Sequence, residues 1–337
     1  MQIFSGSSNP DLAKKIAKLM QSQSSDHSPK IAQGSELLGQ IEISKFANGE
    51  KRVRVVNRGK GEVAVIQSFS APTDEHLIEF CLICDALHRG GATEITAVIP
   101  WLGYSKQDKV FLPGEPLSAK VIAQIIQTTK IKKLVTFDLH NRAITGFFDI
   151  PVTELSAKPL LSEYFKKQLG GKSSDHSPKI AQGSELGEGD TVVVAPDEGS
   201  VKASAYFARE LGVAIAYMDK RRSLKTGKVE VVSMTGKVKG KDVIILDDMI
   251  VTGSTMMESA KFLKSKGARS VRVAATHHLY VPGVQEKLEN SEIDEIVVTD
   301  TVSKIRNPKY EIRNKSEIRN SKLKVLSVAQ LVVDEIK

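Results

Sequence analysis

The stretch VIILDDMIVTGST, residues 243–255, joins an apolar run to two adjacent carboxylates and then to a series of small and hydroxyl residues. The apolar run predicts a buried β-strand, and the pattern STMMESAKFLKSKG, which starts at Ser254, predicts a helix directly after the loop. In this arrangement the backbone N–H groups of Val251–Thr255 can turn toward a phosphate at the positive end of the helix dipole. The hydroxyls of Thr252, Ser254 and Thr255 add further donors.

The two carboxylates, Asp247 and Asp248, would repel that phosphate, so we expect them to face groups rich in hydrogen-bond donors. The vicinal hydroxyls of a ribose and the water shell of a hydrated Mg²⁺ both meet this requirement. A phosphate beside sugar hydroxyls describes ribose 5-phosphate. The alternative interpretation is structural: an acidic turn that caps a helix and binds no ligand.

Strand and helix patterns alternate on both sides of this stretch, which predicts an α/β architecture with parallel sheets. The chain has 337 residues, which exceeds the length that a single hydrophobic core usually supports. The alternation of strands and helices also occurs in two successive series. We therefore predict two similar parallel-sheet α/β domains. The first series comprises VAVIQSF (63–69), HLIEFCLICDALHRGG (76–91), EITAVIPW (94–101), a helix over Ser118–Thr129 and KLVTFDLH (133–140). The second comprises TVVVAPDEG (191–199), SVKASAYFAREL (200–211), VAIAYMDKRR (213–222), DVIILDD (242–248), STMMESAKFLKSKG (254–267) and SVRVAATHH (270–278).

The join between the two series falls near Ser156–Pro159. We predict an N-terminal domain over residues 1–157 and a C-terminal domain over residues 158–326. The final pattern SVAQLVVDEIK (327–337) predicts a helix that could pack on either domain and is assigned to the first.

The peptide SSDHSPKIAQGSEL occurs twice word for word, at residues 24–37 and 173–186. Each copy follows a helix pattern and precedes a strand pattern, where an exposed connection can lengthen at little cost in loop entropy. We interpret both copies as insertions, together with the EIRN repeat within the basic segment at about 309–321. The alternative is a duplicated binding loop with His27 and His176 as ligands.

The composition is that of a globular protein, with 41% hydrophobic and 26% charged residues, and no apolar stretch approaches the roughly 20 residues that span a bilayer. The start MQIFSGSSNP lacks the basic and long apolar regions of a secretion signal. These features argue against a membrane role and favour the cytoplasm. Cys81 and Cys84 stand within a helical apolar pattern without a second ligand pair at zinc spacing, so we expect buried structural thiols.

The net charge of +8 does not by itself indicate nucleic-acid binding. About half of the surplus comes from residues 309–324, and aromatic residues make up only 5% of the chain, without the interleaving of basic and aromatic residues that stacks bases. A small polyanionic ligand accounts equally well for basic clusters. Taken alone, DKRRSLKTGK (219–228) could also be a solvated basic turn.

The stretch at 243–255 resembles the phosphoribosyl-binding loop that phosphoribosyltransferases share with phosphoribosyl diphosphate synthetases. Other segments resemble the synthetases, also called ribose-phosphate diphosphokinases, in particular. These segments are FANGEKRV (46–53), GYSKQDK (103–109), LSAK (117–120), FDLHNRAITGFFDIPV (137–152), APDEG (195–199), DKRR (219–222) and KVLSVAQL (324–331). Since they cover nearly the whole chain outside the repeats, the sequence is similar to this family throughout.

The resemblance implies a type I phosphoribosyltransferase-like fold for both domains and ribose-phosphate diphosphokinase activity. In that reaction the β,γ-diphosphoryl group of Mg-ATP passes to the anomeric hydroxyl of ribose 5-phosphate, giving 5-phosphoribosyl 1-diphosphate and AMP. The resemblance also implies Mg²⁺ as cofactor, and a homo-oligomer built from dimers, up to a hexamer, in which a neighbouring subunit completes the nucleotide site.

The resemblance assigns roles position by position. The positions matched to ATP binding are Phe46, Asn48, Glu50, Lys106, Gln107, Asp108 and His140. Those matched to ribose 5-phosphate binding are Asp247, Asp248, Val251, Thr252, Gly253, Ser254 and Thr255. His140 and Asp197 match positions associated with Mg²⁺, and Lys220 and Arg222 match a catalytic basic pair on a mobile loop. Such a pair suits the reaction, because diphosphoryl transfer needs positive charge around the transferring phosphorus.

The sequence departs from the family pattern at several of these positions. Asn48 and Val251 stand where the family usually has Asp, and Lys106 stands where it has Arg. Asn48 adds a donor, and Lys106 lacks the planar fork of a guanidinium, so nucleotide affinity or base preference could differ. Val251 removes a carboxylate that would reach a ribose hydroxyl. Glu115 replaces an Arg in a segment linked to allosteric control, so that regulation is not assumed.

Two alternative functions remain open. A phosphoribosyltransferase would share the ribose-phosphate loop, but the segments near Phe46 and Lys106 argue against it. A catalytically silent regulatory relative of the synthetase would share the fold. The retention of His140, Asp197 and the basic pair argues for an active enzyme.

Overall fold

A computed structural model describes most of the chain and divides it into two compact units, each of which is described by itself. The sequence-based boundary lies between residues 157 and 158. Unit 1 comprises Met1–Ser156, Asp300–Ser303 and Ser327–Lys337, and unit 2 comprises Ala157–Thr299 and Lys304–Leu326. The structure describes residues 1–23, 37–57, 59–170, 190–222, 229–304 and 322–337, and the side chains of residues 220–232 are not described.

The two copies of the repeat, apart from Leu37, and the EIRN segment lie outside the described residues. The interpretation of these segments as insertions, and the alternative that His27 and His176 bind a ligand, therefore stay predictions.

The sheet of unit 1 is parallel and has the strand order β1-β4-β5-β6-β7. Its apolar strand residues, among them Val63 and Val65, pack against Phe80 and Ile83 on the first long helix that follows. The strands are β1 (Gln2–Ser5), β4 (Gly61–Ile66), β5 (Ala92–Val98), β6 (Lys133–Phe137) and β7 (Val152–Leu155). The helices are α1 (Pro10–Ser22), α2 (Thr73–Gly90), α3 (Ser118–Thr128), a 3-10 helix (Arg142–Phe147) and, at the end of the chain, α8 (Ala329–Ile336).

An antiparallel hairpin stands apart from this sheet and is formed by β2 (Ile41–Lys45) and β3 (Lys51–Val55). Side chains alternate between its faces, as the two-residue period of a strand requires. The inner face carries Ile43 and Val53, which pack against the core of unit 1, whereas the outer face is exposed.

The sheet of unit 2 has the strand order β10-β9-β8-β11-β12-β13-β14, and only β10 at its edge runs antiparallel to its neighbour. Its strands are β8 (Thr191–Ala195), β9 (Ala214–Arg222), β10 (Val229–Thr235), β11 (Asp242–Ile250), β12 (Ser270–His278), β13 (Glu295–Thr299) and β14 (Leu323–Leu326). Its helices are α4 (Lys158–Gln168), α5 (Val201–Leu211), α6 (Ser254–Ser265) and α7 (Val284–Glu289).

Helices cover both faces of the sheet of unit 2. On β11, Val243 and Ile245 pack with Leu263 of α6, whereas Ile244 packs on the opposite side with Phe165 of α4 and Phe207 of α5. A strand that is buried on both faces needs apolar residues at every position, which explains the continuous run VIIL.

The predicted class, α/β with two parallel-sheet domains, is confirmed. One boundary differs near the site, because β11 continues through both carboxylates to Ile250 instead of ending at Asp248. The cysteines are free thiols on α2, with Cys84 buried and Cys81 half-buried, and burial raises the pKa of both. None of the described helices is both long enough and apolar enough to cross a bilayer.

Candidate active site

The strand order of unit 2 reverses between β8 and β11. From β8 the chain builds β9 and β10 outward on one side, and it then returns to place β11 on the other side of β8. In an open parallel sheet such a reversal leaves a crevice at the carboxyl ends of the two strands, where ligands bind. The motif APDEG (195–199) covers the end of β8 and the loop after it, and the loop Val251–Gly253 follows β11, so these two predicted motifs of unit 2 flank this crevice.

The loop after β11 leads directly into the N-terminus of α6. Gly253 is the N-cap residue and has φ +71°, in the left-handed region that favours glycine. An α-helix leaves its first N–H groups without intrahelical partners, and Gly253 has no side chain to cap them. The side chains of Thr252 and Ser254 are exposed and hydrogen-bond each other at 3.2 Å. The predicted phosphate loop therefore has the helix N-terminus and hydroxyls that its sequence requires.

Helix α7 lies behind this loop. A Cβ atom added to Gly253 would lie 2.9 Å from Leu288 Cδ2 and 3.5 Å from Val284 Cγ1. Both residues belong to α7 and are buried. Glycine at position 253 is thus required for two reasons: its φ is positive, and α7 packs too closely to leave room for a side chain.

The carboxylates Asp247 and Asp248 lie in the last part of β11, both partly exposed. The backbone N–H of Asp248 donates to Asp247 Oδ1 at 2.8 Å. Burial raises the pKa of Asp247 well above its usual range, and the hydrogen bond to the Asp248 carboxyl and the charge of that group raise it further. The charge of Asp197, at the end of β8, adds to the same effect. Three carboxyl groups therefore create an excess of negative charge at the crevice.

Asp197 shapes the loop in which it lies. Its Oδ1 accepts from the backbone N–H of Ser200 at 3.0 Å, and the Ser200 hydroxyl donates to the Asp197 carbonyl oxygen at 2.8 Å. These bonds form the turn that precedes α5. Asp197 is consequently a local structural residue as well as a predicted metal ligand.

The predicted catalytic pair, Lys220 and Arg222, belongs to the last part of strand β9. This strand continues beyond Tyr217, which pairs with the final residue of β8, and its extension pairs with β10 through Lys220–Val231 and Arg222–Val229. Because β9 is parallel to β8, the extension projects beyond the carboxyl end of β8, on the side of the sheet where the crevice lies. The structure gives no side-chain positions for this pair, so its catalytic role stays a prediction.

In unit 1, Phe46, Asn48 and Glu50 meet at the tip of the β2–β3 hairpin. The turn is closed by the Phe46 N–H, which donates to the Glu50 carbonyl at 2.8 Å, and by the Asn48 side chain, which accepts from the Glu50 N–H at 3.2 Å. The Phe46 side chain is 53% exposed. An exposed aromatic ring on a defined turn is a suitable surface on which a nucleobase can stack.

The second predicted nucleotide segment, Lys106–Asp108, follows β5. The Gln107 side-chain oxygen accepts from the Ser118 hydroxyl at 2.7 Å, and the Asn141 amide donates to Asp108 Oδ2 at 2.6 Å. Asn141 adjoins His140, so the structure brings Asp108 together with the His140 loop after β6. Neither Ser118 nor Asn141 was predicted individually as a site residue. The available signal for Asn141 was its place directly after a parallel strand.

A cavity of about 600 Å³ adjoins this second segment in unit 1. It is lined by Pro72, Thr73, Asp74, Glu75, Tyr104 and Gln107. The Tyr104 hydroxyl donates to the Asp74 carboxylate. Gln107, a predicted nucleotide residue, therefore borders a space that can take a small ligand.

Within the part of the chain that the structure describes, no three His, Cys, Asp or Glu side chains converge as a ready-made metal site. Mg²⁺ keeps several waters and commonly takes one or two carboxylates together with substrate phosphates. Asp197, Asp247 and Asp248 supply carboxylate oxygens, the ligand type that such an ion prefers, and the charges of Asp248 and Asp197 both contribute to the raised pKa of Asp247. His140 belongs to unit 1 and Asp197 to unit 2, and their metal-binding role stays a prediction.

Comparison with known proteins agrees with this geometry. Residues 1–129 match the family model of the N-terminal domain of ribose phosphate pyrophosphokinase, and residues 171–311 match that of the phosphoribosyl transferase domain. The ribose-phosphate pyrophosphokinases of Wolinella succinogenes and Fusobacterium nucleatum are 35% and 36% identical to this chain over its whole length, which corresponds to 94% of each relative. The crystal structure of phosphoribosylpyrophosphate synthetase from Mycobacterium smegmatis superposes with a TM-score of 0.79 at 32% identity, covering 99% of this chain and 97% of that one.

Two parallel α/β units, one with a helix N-terminus beside a carboxylate pair at its reversal point, define the phosphoribosyltransferase-like class of type I. Within that class, the full-length similarity is to enzymes that carry both domains. The chain belongs to the ribose-phosphate pyrophosphokinase family, the ribose-phosphate diphosphokinases of the resemblance stated above.

Proposed function

We propose that this chain is a ribose-phosphate diphosphokinase, which transfers the β,γ-diphosphoryl group of Mg-ATP to the anomeric hydroxyl of ribose 5-phosphate. The crevice of unit 2 is the observation that carries the proposal. There, a pair of carboxyl groups and a helix N-terminus with glycine as its N-cap residue follow one another along a single strand and loop. The products are 5-phosphoribosyl 1-diphosphate and AMP, and the first of these serves nucleotide biosynthesis.

The 5-phosphate binds at the loop Val251–Thr255. Its oxygens accept from backbone N–H groups at the start of α6 and from the exposed hydroxyls of Thr252 and Ser254. The ribose hydroxyls donate to Asp247 and Asp248. These donors stabilise the ionised carboxylates, so sugar binding lowers the raised pKa of Asp247 and releases a proton.

The nucleotide binds through the hairpin turn Phe46–Glu50 and the segment Lys106–Asp108. The exposed ring of Phe46 offers a stacking surface for adenine, and Asn48 and Glu50 on the same turn would contact its polar edge. A neighbouring copy of the chain supplies the hairpin turn Phe46–Glu50 to the nucleotide site, which requires at least a dimer.

In the chemical step, the anomeric oxygen of ribose 5-phosphate attacks the β-phosphorus of ATP, in line with the bond that breaks. A bond forms between the anomeric oxygen and the β-phosphorus while the hydroxyl proton passes to solvent, the bond from that phosphorus to the α,β-bridging oxygen breaks, and AMP leaves with that oxygen. Lys220 and Arg222 on the β9 extension supply positive charge to the transferring group. Asp197 in unit 2 and His140 in unit 1 are the predicted Mg²⁺ ligands, and a bound ion would supply positive charge that neutralises and orients the phosphate oxygens.

The departures from the family pattern should change the affinities for the substrates and leave the class of reaction unchanged. At Val251 the side chain offers no carboxylate to a ribose hydroxyl, but the backbone N–H remains available to phosphate. Lys106 supplies a point charge in place of a planar fork. We therefore expect altered affinities for the sugar phosphate and the nucleotide.

The test is AMP release from ATP in the purified full-length protein. We expect release to require both ribose 5-phosphate and Mg²⁺, and ribose without the phosphate should not replace the sugar phosphate. Formation of 5-phosphoribosyl 1-diphosphate in equal amount identifies the second product. AMP release that needs no sugar phosphate, or none under any of these conditions, would contradict the proposal.

A further inference from the structure

Two lysines stand opposite each other at the base of the turn Phe46–Glu50. Lys45 ends β2, Lys51 begins β3, and the two form a cross-strand pair. Both fall on the inner face of the hairpin, because the alternation that turns Ile43 and Val53 inward applies to them as well. Like charges directly opposite each other in a hairpin are destabilising, so this arrangement requires anions beneath the turn.

Helix α2 supplies those anions one helical turn apart. Glu75 binds Lys45 Nζ at 2.7 Å and lies 3.7 Å from Lys51 Nζ. Glu79 binds Lys51 Nζ at 2.5 Å. Residues four apart on a helix lie on the same face, so two adjacent glutamates meet two adjacent lysines.

The two ion pairs differ in burial. Lys45 and Glu75 have side chains 52% and 43% exposed, and an exposed pair of this kind contributes little. Lys51 is 10% exposed and Glu79 is fully buried, within the apolar face of α2 that also carries Phe80 and Ile83. A charge in that position has to be compensated by its neighbours.

Glu79 is compensated by donors from three segments. Its carboxylate accepts from the Ser7 N–H at 2.6 Å, the Ser7 hydroxyl at 2.8 Å and the Gln67 amide at 2.9 Å, in addition to Lys51. Burial alone would raise the pKa of Glu79, but the hydrogen bonds from Lys51 and Ser7 outweigh burial and hold it below its ordinary value. Glu79 therefore stays ionised and fastens the hairpin to α2 and to the loops after β1 and β4.

We infer that the buried pair Lys51–Glu79 positions the nucleotide-binding turn. Lys51 follows Glu50 directly, and the bond between the Phe46 N–H and the Glu50 carbonyl makes the turn move as one unit. Where that unit stands relative to α2 is set by the side chain of Lys51. This inference rests on the proposed nucleotide role of the turn, and Glu79 is a positioning residue that touches no substrate.

The main variant is Glu79→Gln, which keeps the shape of the side chain and places an amide nitrogen among the donors of Ser7, Gln67 and Lys51. We expect the Kd for ATP, measured by calorimetry without sugar phosphate, and the KM for ATP to rise about tenfold, because a turn displaced by an ångström loses its contacts. The KM for ribose 5-phosphate should change less than twofold. Lys51→Arg keeps the charge and should retain an ATP affinity within threefold of wild type.

The double variant Lys51→Met/Glu79→Gln separates positioning from stability. Without either charge, the fold regains much of the stability lost in the single variant, but the tether is still missing, so the Kd for ATP stays about tenfold raised. A double variant with wild-type ATP affinity would overturn the inference. So would a Glu79→Gln protein in which both substrates weaken equally. If Glu79→Gln does not fold, the double variant decides alone.

Glu335→Gln is the matched control. Glu335 binds Lys133 and Thr153 within unit 1, where it ties α8 to the sheet at a distance in sequence from the hairpin. We expect it to lower thermal stability and leave the ATP affinity unchanged. Wild-type protein that binds ATP but forms no product would contradict the proposed function while leaving the positioning test intact.

Discussion

Glu79 in unit 1 and Asp247 in unit 2 are both carboxyl groups withdrawn from water, yet their pKa values are displaced in opposite directions. The hydrogen bonds from Lys51 and Ser7 hold the pKa of Glu79 low. Asp247 is partly buried beside a second carboxyl group, and its pKa is raised. Glu79 thus has a lysine and three further donors around it, whereas Asp247 accepts one backbone N–H, from Asp248, and lies beside a second carboxyl group.

The two sheets show the same contrast at a larger scale. In unit 1 the strand order never reverses among the described strands, and the predicted nucleotide residues lie on a hairpin and on loops. In unit 2 the order reverses between β8 and β11, and the acidic residues collect at that point. Parallel α/β structure alone does not create a ligand site, because the crevice requires the reversal.

The largest expected effect concerns the β9 extension. Lys220→Ala should lower kcat by about a thousandfold, because it removes a cation from the transferring group. The far-UV spectrum and the melting temperature should stay unchanged. Lys237→Ala, in an exposed position after β10, is the control and should keep full activity. Near-normal turnover in Lys220→Ala would show that Lys220 is not a catalytic residue.

A pair of substitutions tests the contrast between the two carboxyl groups directly. Glu79→Gln should lower the free energy of unfolding by about 3 kcal/mol at pH 8, because it leaves Lys51 buried without its partner. Asp247→Asn should raise it by about 1 kcal/mol, because it removes a charge that the apo protein holds at a cost. Urea denaturation measures both values. Destabilisation by both variants would show that the two groups are not opposites.

The pH dependence of these effects follows from the directions of the pKa shifts. Glu79 has a lowered pKa, so its stabilisation is present above its unfolded-state pKa and is lost as the pH falls through its folded-state pKa. Asp247 has a raised pKa, so the wild-type protein loses stability as the pH rises from the unfolded value through the folded one. The advantage of Asp247→Asn should therefore grow with pH, and a constant advantage would contradict the shift.

Gly253→Ala tests the support of the phosphate loop. We expect a loss of about 2 to 3 kcal/mol, from a left-handed backbone conformation and from contact with Leu288. Gly240→Ala is the matched control, because Gly240 has φ +74° but open space around its Cβ position. It should lose only about 1 to 2 kcal/mol. The KM for ribose 5-phosphate should rise in Gly253→Ala alone.

The smallest effect is proton release on sugar binding. Because binding favours ionised Asp247, affinity for ribose 5-phosphate should strengthen severalfold as the pH rises from 7 to 9, above the range in which the phosphate itself titrates. Calorimetry in two buffers of different ionisation enthalpy counts the protons released. Asp247→Asn should bind with no such release, and an unchanged count in that variant would assign the proton to another group.

Local patterns were enough to predict several features of both units. The continuous run VIIL indicated a buried strand, and the small and hydroxyl residues from Thr252 onward indicated the loop before α6. These signals are local because strand burial and helix starts depend on neighbouring residues. The predicted β11 ended two residues early, at Asp248, because the sequence pattern places the end of the strand at the acidic pair.

Contacts between distant segments were beyond such patterns. In the sequence, Glu79 is a charged residue within an apolar helix pattern, and nothing near it indicates a partner. Its partners Ser7 and Lys51 lie 72 and 28 residues away along the chain. Nothing local identifies Leu288 as the residue that closes against Gly253, or Asn141 as the partner of Asp108. Each of these pairings depends on how the strands are ordered.

The amino-acid sequence by itself determined the α/β class, the phosphate loop and the residue types available for chemistry, since periodicity and turn composition act over a few residues. Only the tertiary structure decided which carboxyl group is compensated and which is left in need of a ligand. The reason is physical: the pKa and role of a buried acid depend on the charges and donors that folding brings within a few ångströms of it.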